Sequence, residues 1–193
     1  GNHEAALLGS GLDFNPKARA AIDWTREELN RAGEREQNLA FWDFLGGLVP
    51  AMCDGVAMFA HGSPRDPVRE YMLPRDVRTP EKMKACFAAQ ERRICFVGHS
   101  HVPAVYLEDG QLVRPKGGEM DFDLGPEGSQ KAIVNVGSVG QPRDGDPRLS
   151  YVMFDGRRIR FVRLEYDHAA AAAAIRAVSA LPEFLAERLA VGR

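Results

Sequence analysis

Apolar and polar positions follow two rhythms along this chain. Asn15-Pro16 is a helix start, an N-capping residue followed by proline at the first helical position. Ala18, Ile22, Thr25 and Leu29 then recur at helical spacing until Gly33, which predicts a helix with one largely apolar stripe. A shorter helix is expected over residues 39–45, closed by Gly46-Gly47. Thr79-Pro80-Glu81 opens another, with Met83 and Phe87 turned inward. Asp167 opens a fourth through the alanine run, with Ile175 and Val178 inward, and Pro182 starts a last one. Between the helices lie short apolar runs bounded by turn residues, the signature of strands. They cover residues 49–53, 56–60, 94–97, 104–107, 132–136, 151–154 and 159–164. Asp54-Gly55 and Asp155-Gly156 each join two such runs as a hairpin.

Three of the predicted strands run into residues that can carry chemistry. One ends at His61, one at Gly98-His99-Ser100-His101, and one at a polar loop over residues 137–147. Open α/β sheets place ligands at the carboxyl ends of their strands. The expectation is therefore a layered α/β protein with its site along one edge of the sheets. Gly98 reads as the residue that lets the chain turn sharply there.

At 193 residues and 45% hydrophobic, the chain can bury one substantial core, and a single domain over 1–193 is expected. Residues 115–130, rich in Gly, Pro and acidic side chains, read as an exposed excursion. Lys and Arg number 25 against 27 Asp and Glu, so there is no general attraction for nucleic acid or anionic membrane, and phosphate binding must be local. No apolar run approaches a membrane span. Cys53, Cys86 and Cys95 are odd in number and lack C-x-x-C spacing, which points to reduced core residues of a cytoplasmic protein.

Imidazoles two residues apart at His99 and His101 can face a common space, as a metal requires, although His-x-His alone is more often a solvated pair. Gly98-His99-Ser100-His101-Val102 also approaches a nucleophile elbow, but Val102 and Pro103 stand where a glycine and a helix are needed. Ser63 and Ser100 read as backbone hydrogen-bonding groups, and Arg65 and Asp66 as loop scaffolding. Asp144 and Asp146 read as turn formers, His168 as a surface or capping residue, and Trp24, Phe41 and Trp42 as core. Arg143 can line a phosphate site or be solvated.

Taken in order, Gly1-Asn2-His3-Glu4, His61-Gly62, Gly98-His99-Ser100-His101 and Asn135-Val136-Gly137-Ser138 resemble the calcineurin-like metallophosphoesterases. Within them the chain is most similar to small bacterial phosphoesterases of the diadenosine tetraphosphatase-like group, where phrases like His61-Gly62-Ser63-Pro64 and residues 137–143 recur.

The resemblance implies a calcineurin-like layered β-sandwich flanked by helices. It implies two divalent transition-metal ions (Mn, Fe, Zn, Ni or Co), with Asn2, His61 and His99 on one and His101 on the other. His3 is then the group that assists the leaving oxygen, Glu4 a hydrogen-bonding neighbour of His3, and Arg143 a substrate-binding residue. The implied activity is hydrolysis of small phosphomonoesters, phosphodiesters or nucleotides by a hydroxide held at the binuclear centre. The family also carries D-x-H and G-D-x-x-D motifs ahead of G-N-H-D/E. This sequence begins at that third motif, so the expectation is a domain lacking its opening strand–helix unit and incompetent without it. Some relatives of the fold have lost metal chemistry and serve as protein-binding scaffolds, which is the second reading.

Overall fold

The fold is that of a computed structural model, which describes residues 1–126 and 129–193. Three helices open the chain: α1 (Asn2–Leu8), α2 (Pro16–Arg31) and α3 (Arg35–Gly46). The Asn15 side chain accepts a hydrogen bond from the Ala18 amide, the cap that Asn-Pro predicts. The sequence predicts no helix over α1, where Gly1-Asn2-His3-Glu4 stands out as a motif instead. It is tied down from α2, where Arg26 donates to the carbonyls of Leu7 and Ala6 at 3.2 and 2.7 Å, among the last acceptors of α1.

The strands form two sheets. β1 (Ala51–Asp54) and β2 (Ala57–Ala60) make the first hairpin. After α4 (Pro80–Ala89) come β3 (Ile94–Val97), β4 (Ala104–Leu107), β5 (Leu112–Val113), β6 (Glu119–Asp123) and β7 (Ala132–Asn135). β8 (Leu149–Phe154) and β9 (Arg158–Leu164) form the second hairpin. The larger sheet has the order β1-β2-β3-β7-β4-β5, the smaller β6-β9-β8. The chain ends in α5 (His168–Arg176), α6 (Phe184–Glu187) and a 3-10 turn (Arg188–Val191). Asp167 caps α5 by accepting from the Ala170 amide.

Side chains of a strand alternate between faces, and β3 shows what that achieves. Ile94 and Phe96 join Val105, Val134, Ile159 and Phe161 in a core between the two sheets. Cys95 and Val97 point the other way and pack with Tyr106 and Ile133 against Met83, Cys86 and Phe87 of α4. The result is three layers, helix on sheet on sheet, in agreement with the layered α/β expectation. Cys86 and Cys95 are buried free thiols, and burial pushes them up to about 11 and about 12.

Two expectations need correction. Residues 115–130 are not simply an excursion: Glu119–Asp123 is β6, paired antiparallel with β9. Its acidic side chains conceal an alternation in which Met120 and Phe122 face the core, while Asp121 and Asp123 pair with Arg160 and Arg157 across the strands. The part of that expectation falling on residues 127 and 128 lies outside the described residues. Trp24, Phe41 and Trp42 are half-buried and belong to none of the three core clusters. The reason is that α2 and α3 pack against one another and α1, away from the sheets.

Candidate metal centre

β2, β3 and β7 are parallel neighbours, so their carboxyl ends lie side by side on one edge of the larger sheet. Those are the three ends that lead to His61, His99 and the 137–147 loop. The loops are stitched together by backbone: the Gly98 amide donates to the His61 carbonyl, and the Val136 amide to the Val97 carbonyl. Asn135, fully buried, donates its side-chain amide to the Gly98 carbonyl at 2.6 Å and the Ser100 hydroxyl at 2.8 Å. Its side-chain oxygen accepts from the Gly137 amide, so one residue at the end of β7 fixes two loops.

The sharp turn does not use Gly98. Left-handed backbone falls on His99 (φ 58) and His101 (φ 59), the only non-glycine residues with positive φ among the described residues. Such conformations cost about 1–3 kcal/mol each and persist where surrounding contacts over-determine them, commonly at functional sites. Here those contacts are the Asn135 bonds just described.

The His61 loop has its own anchor. The Ser63 amide donates to the Glu70 carbonyl, and the Ser63 hydroxyl to the Glu70 carboxylate. Arg65 grips the same carboxylate, which with Ser63 holds Glu70 down to about 2. Gly62 sits so close to this return that a Cβ there would lie 2.6 Å from the Asp66 carbonyl oxygen. Ser63, Ser100 and Arg65 are thus scaffolding. Asp146 forms the expected turn through the Arg148 amide, and Asp144 pairs with Arg163.

Three lone-pair atoms meet at the edge of the sheet. The Asn2 Oδ1 lies 2.7 Å from His61 Nε2, which lies 2.9 Å from His99 Nδ1. The His99 Nε2 faces the Arg69 carbonyl at 3.0 Å, and a carbonyl only accepts, so the His99 proton resides on Nε2 and Nδ1 is an acceptor. His61 Nε2 therefore stands between two acceptors with at most one proton to give, and one of them stays unsatisfied. A cation at the common point would satisfy all three. Ligand atoms about 2.1 Å from an octahedral ion are about 3.0 Å from their neighbours, close to the separations here. Burial, then the nearby His99, lowers His61 to about 4, so the ring is neutral and its lone pair available at neutral pH.

His101 lies in the same loop but stands apart from this trio. Its Nδ1 donates to the Gln141 carbonyl at 2.7 Å, which leaves Nε2 as its lone-pair atom. Burial, then Arg143, lowers it to about 4. Among the described residues no three His, Cys, Asp or Glu side chains form a metal-holding group, so a carboxylate between the two imidazole sites is not supplied from within them. His3 lies in the first turn of α1 beside Asn2, with its ring edge-on to Phe14 at 5.1 Å. Desolvation by the surrounding protein, against the opposing pull of Glu4, lowers its pKa. Arg143 is half-buried; its amide donates to the His101 carbonyl and its guanidinium to Gln141.

The sequence reading missed Tyr71 and Glu70. The Tyr71 ring stacks on His99 with centroids 3.6 Å apart and planes 15° from parallel, which sets the tilt of that imidazole. A cavity of about 290 Å³ opens beside it, lined by Asn2, Phe14, Asn15, Arg69, Tyr71 and His99. An apolar one of about 700 Å³, lined by Phe59, Phe96, Val136, Val152 and Phe154 among others, reaches His61 from the other side.

The fold and sequence have relatives. The crystal structure of a metallophosphoesterase from Sphaerobacter thermophilus is 38% identical, superposes with a TM-score of 0.77, and matches all of this chain and 75% of its own. A hypothetical protein from Pyrococcus horikoshii has the same fold at 18% identity, with a TM-score of 0.68 over all of this chain and 71% of its own. An uncharacterized protein of Methanocaldococcus jannaschii is 36% identical over 200 residues, which span this whole chain and 74% of that protein. No family model matches the sequence. Among the described residues no helix is long and apolar enough to cross a membrane. The identity over the full length, together with the shared calcineurin-like fold, places the chain in the metallophosphoesterase family.

Proposed function

We propose that this protein is a metal-dependent phosphoesterase acting on small phosphomonoesters, phosphodiesters or nucleotides, in the manner of the diadenosine tetraphosphatase-like group. The observation that carries the reading is the meeting of Asn2 Oδ1, His61 Nε2 and His99 Nδ1 at 2.7 and 2.9 Å, three neutral donors short of a proton. These three would hold one divalent transition-metal ion, and His101 Nε2 would reach a second. Bound divalent ions supply Lewis acidity to phosphoryl oxygens and make water nucleophilic near neutral pH. Metal identity follows supply and geometry more than ligand type, so Mn, Fe, Co, Ni and Zn all suit the imidazoles.

The chain's own residues do the rest. Arg143, beside His101, neutralises charge on the phosphate. His3, next to Asn2 and coupled electrostatically to Arg143, gives a proton to the leaving oxygen. Tyr71 and the Arg69 carbonyl keep His99 in one tautomer and orientation. A cytoplasmic location belongs to the same proposal, supported by the three free cysteines.

The test is hydrolysis of alkyl and nitrophenyl phosphates by the protein supplied with each divalent ion. His3→Ala should slow the alkyl ester by roughly 10²–10⁴-fold and the nitrophenyl ester, whose phenoxide needs little protonation, much less. Equal losses on both esters with loss of metal would reduce His3 to a residue that positions Asn2. The scaffold reading is favoured only by the absence, among the described residues, of three His, Cys, Asp or Glu side chains grouped to hold a metal. Metal-dependent turnover with any ester removes it.

A further inference from the structure

The cavity of about 290 Å³ beside Tyr71 opens on the point where the donors meet, since Asn2 and His99 both stand in its wall. Two aromatic rings bound it. Phe14 meets the His3 ring edge-on at 5.1 Å, and Tyr71 stacks one face on His99 while 41% of the residue stays exposed. The apolar cavity on the other side reaches only His61 of the three donor residues. A group that leaves with a proton from His3 therefore departs into the smaller cavity.

The rest of its wall is polar. The connection between α1 and α2 contributes Ser10, Asp13 and Asn15, and the 62–71 segment contributes Arg69. Asp13 and Arg69 pair from these two segments at 3.3 Å, with 71% and 68% of their side chains exposed. An ion pair so exposed adds little to stability and opens readily, which frees its carboxylate and guanidinium for a ligand. Asn15 spends its side-chain oxygen on capping α2, so its amide nitrogen is left as a donor, and the Ser10 hydroxyl is exposed beside it.

This set mixes an acceptor, two donors and a group that does both. Hydroxyls, which donate and accept, satisfy such a set, whereas a bare alkyl group leaves it unmatched. The C–H surface of the same ligand packs on the rings. At roughly 30 Å³ for each water-sized group, the cavity holds about ten non-hydrogen atoms. We propose that this cavity binds the leaving group of the ester and selects a compact, polyhydroxylated one, a polyol or a single sugar ring, with Asp13 and Ser10 recognising its hydroxyls. The proposal rests on the phosphoesterase reading, which sets where the scissile phosphate lies.

Glycerol 1-phosphate and propyl phosphate have leaving groups of equal chain length that differ only in hydroxyls. Their kcat/KM values with the metal-supplied protein should favour glycerol phosphate at least roughly tenfold. Asp13→Ala should reduce that ratio several-fold and Ser10→Ala by less. Both side chains are exposed, so neither change threatens the fold. The hydroxyls act on the departing alkoxide alike in every variant, so a reduced ratio belongs to the cavity. A ratio near one in the unaltered protein, a preference for propyl phosphate, which the apolar cavity would produce, or a ratio that survives Asp13→Ala would overturn the proposal. If the protein hydrolyses no ester with any ion, the phosphoesterase reading falls. Calorimetric binding of the same two esters to the unaltered protein and to Asp13→Ala then still decides whether the cavity recognises hydroxyls.

Discussion

The Nε2 of His61 lies 2.9 Å from the Nδ1 of His99, although 38 positions separate them. Two parallel strands, β2 and β3, end side by side and hand each ring to the same point. Neither imidazole reaches that point by its own loop alone. Asn135 and Glu70 hold the loops, and several expected outcomes follow from how they do so.

Asn135→Leu should be among the most damaging substitutions in the chain. It leaves the Ser100 hydroxyl and the Gly137 amide, both buried, without their partner, while the Gly98 carbonyl keeps only the Ser100 amide. Unsatisfied buried groups cost about 1–3 kcal/mol each, so a combined loss of about 2–6 kcal/mol is expected. Chemical denaturation of the variant measures it. A loss below about 1 kcal/mol would mean that the loops hold themselves.

Glu70 makes a pH-dependent contribution. Its carboxyl is held at about 2 in the fold, chiefly by Arg65, against an ordinary value of 4.5. A depressed carboxylate stabilises the fold fully above its unfolded pKa, and the effect disappears as pH falls from about 4.5 towards about 2. Arg65 is exposed while Glu70 is half-buried, so solvent screening reduces the contribution of the pair. In thermal melts, Glu70→Gln should lie below the unaltered protein at neutral pH and approach it near the acid end of that window. A gap independent of pH would assign Glu70 a packing role instead.

Gly62 follows His61 and Gly98 precedes His99, yet the two should respond oppositely to alanine. A methyl at Gly62 meets the carbonyl oxygens of Asp66 and Glu70 at 2.6 and 2.9 Å, which are backbone and cannot swing aside. At Gly98 the nearest atom is the His61 carbonyl oxygen at 3.9 Å, and φ is not positive. Gly62→Ala should cost about 1–3 kcal/mol and loosen His61, whereas Gly98→Ala should be nearly neutral. Melting temperatures of the two variants decide it. Equal losses would show that Gly98 carries strain of its own.

Much of this was legible in the sequence because the relevant signals are local. A strand that ends in His61, or in Gly98-His99, advertises itself within a few residues, and the parallel order β2-β3-β7 then puts those ends together. Tyr71 and Glu70 were not legible, because their roles depend on the 62–71 segment folding back on itself, and nothing in their immediate neighbours signals that return. β6 was hidden by charge: its outward Asp121 and Asp123 resemble a solvated loop until Arg160 and Arg157 appear across the sheet. The left-handed His99 and His101 could not be read at all, since the glycine beside them was the natural suspect.

The most direct test of the central claim is calorimetric titration of Co²⁺ into the protein and into His61→Ala, His99→Ala and His168→Ala. If Asn2, His61 and His99 hold one ion between them, the first two variants should each bind at least roughly tenfold more weakly. His168→Ala, at the start of α5, should bind as the unaltered protein does. Co²⁺ affinity left intact in both His61→Ala and His99→Ala would contradict a metal site at the meeting of β2 and β3.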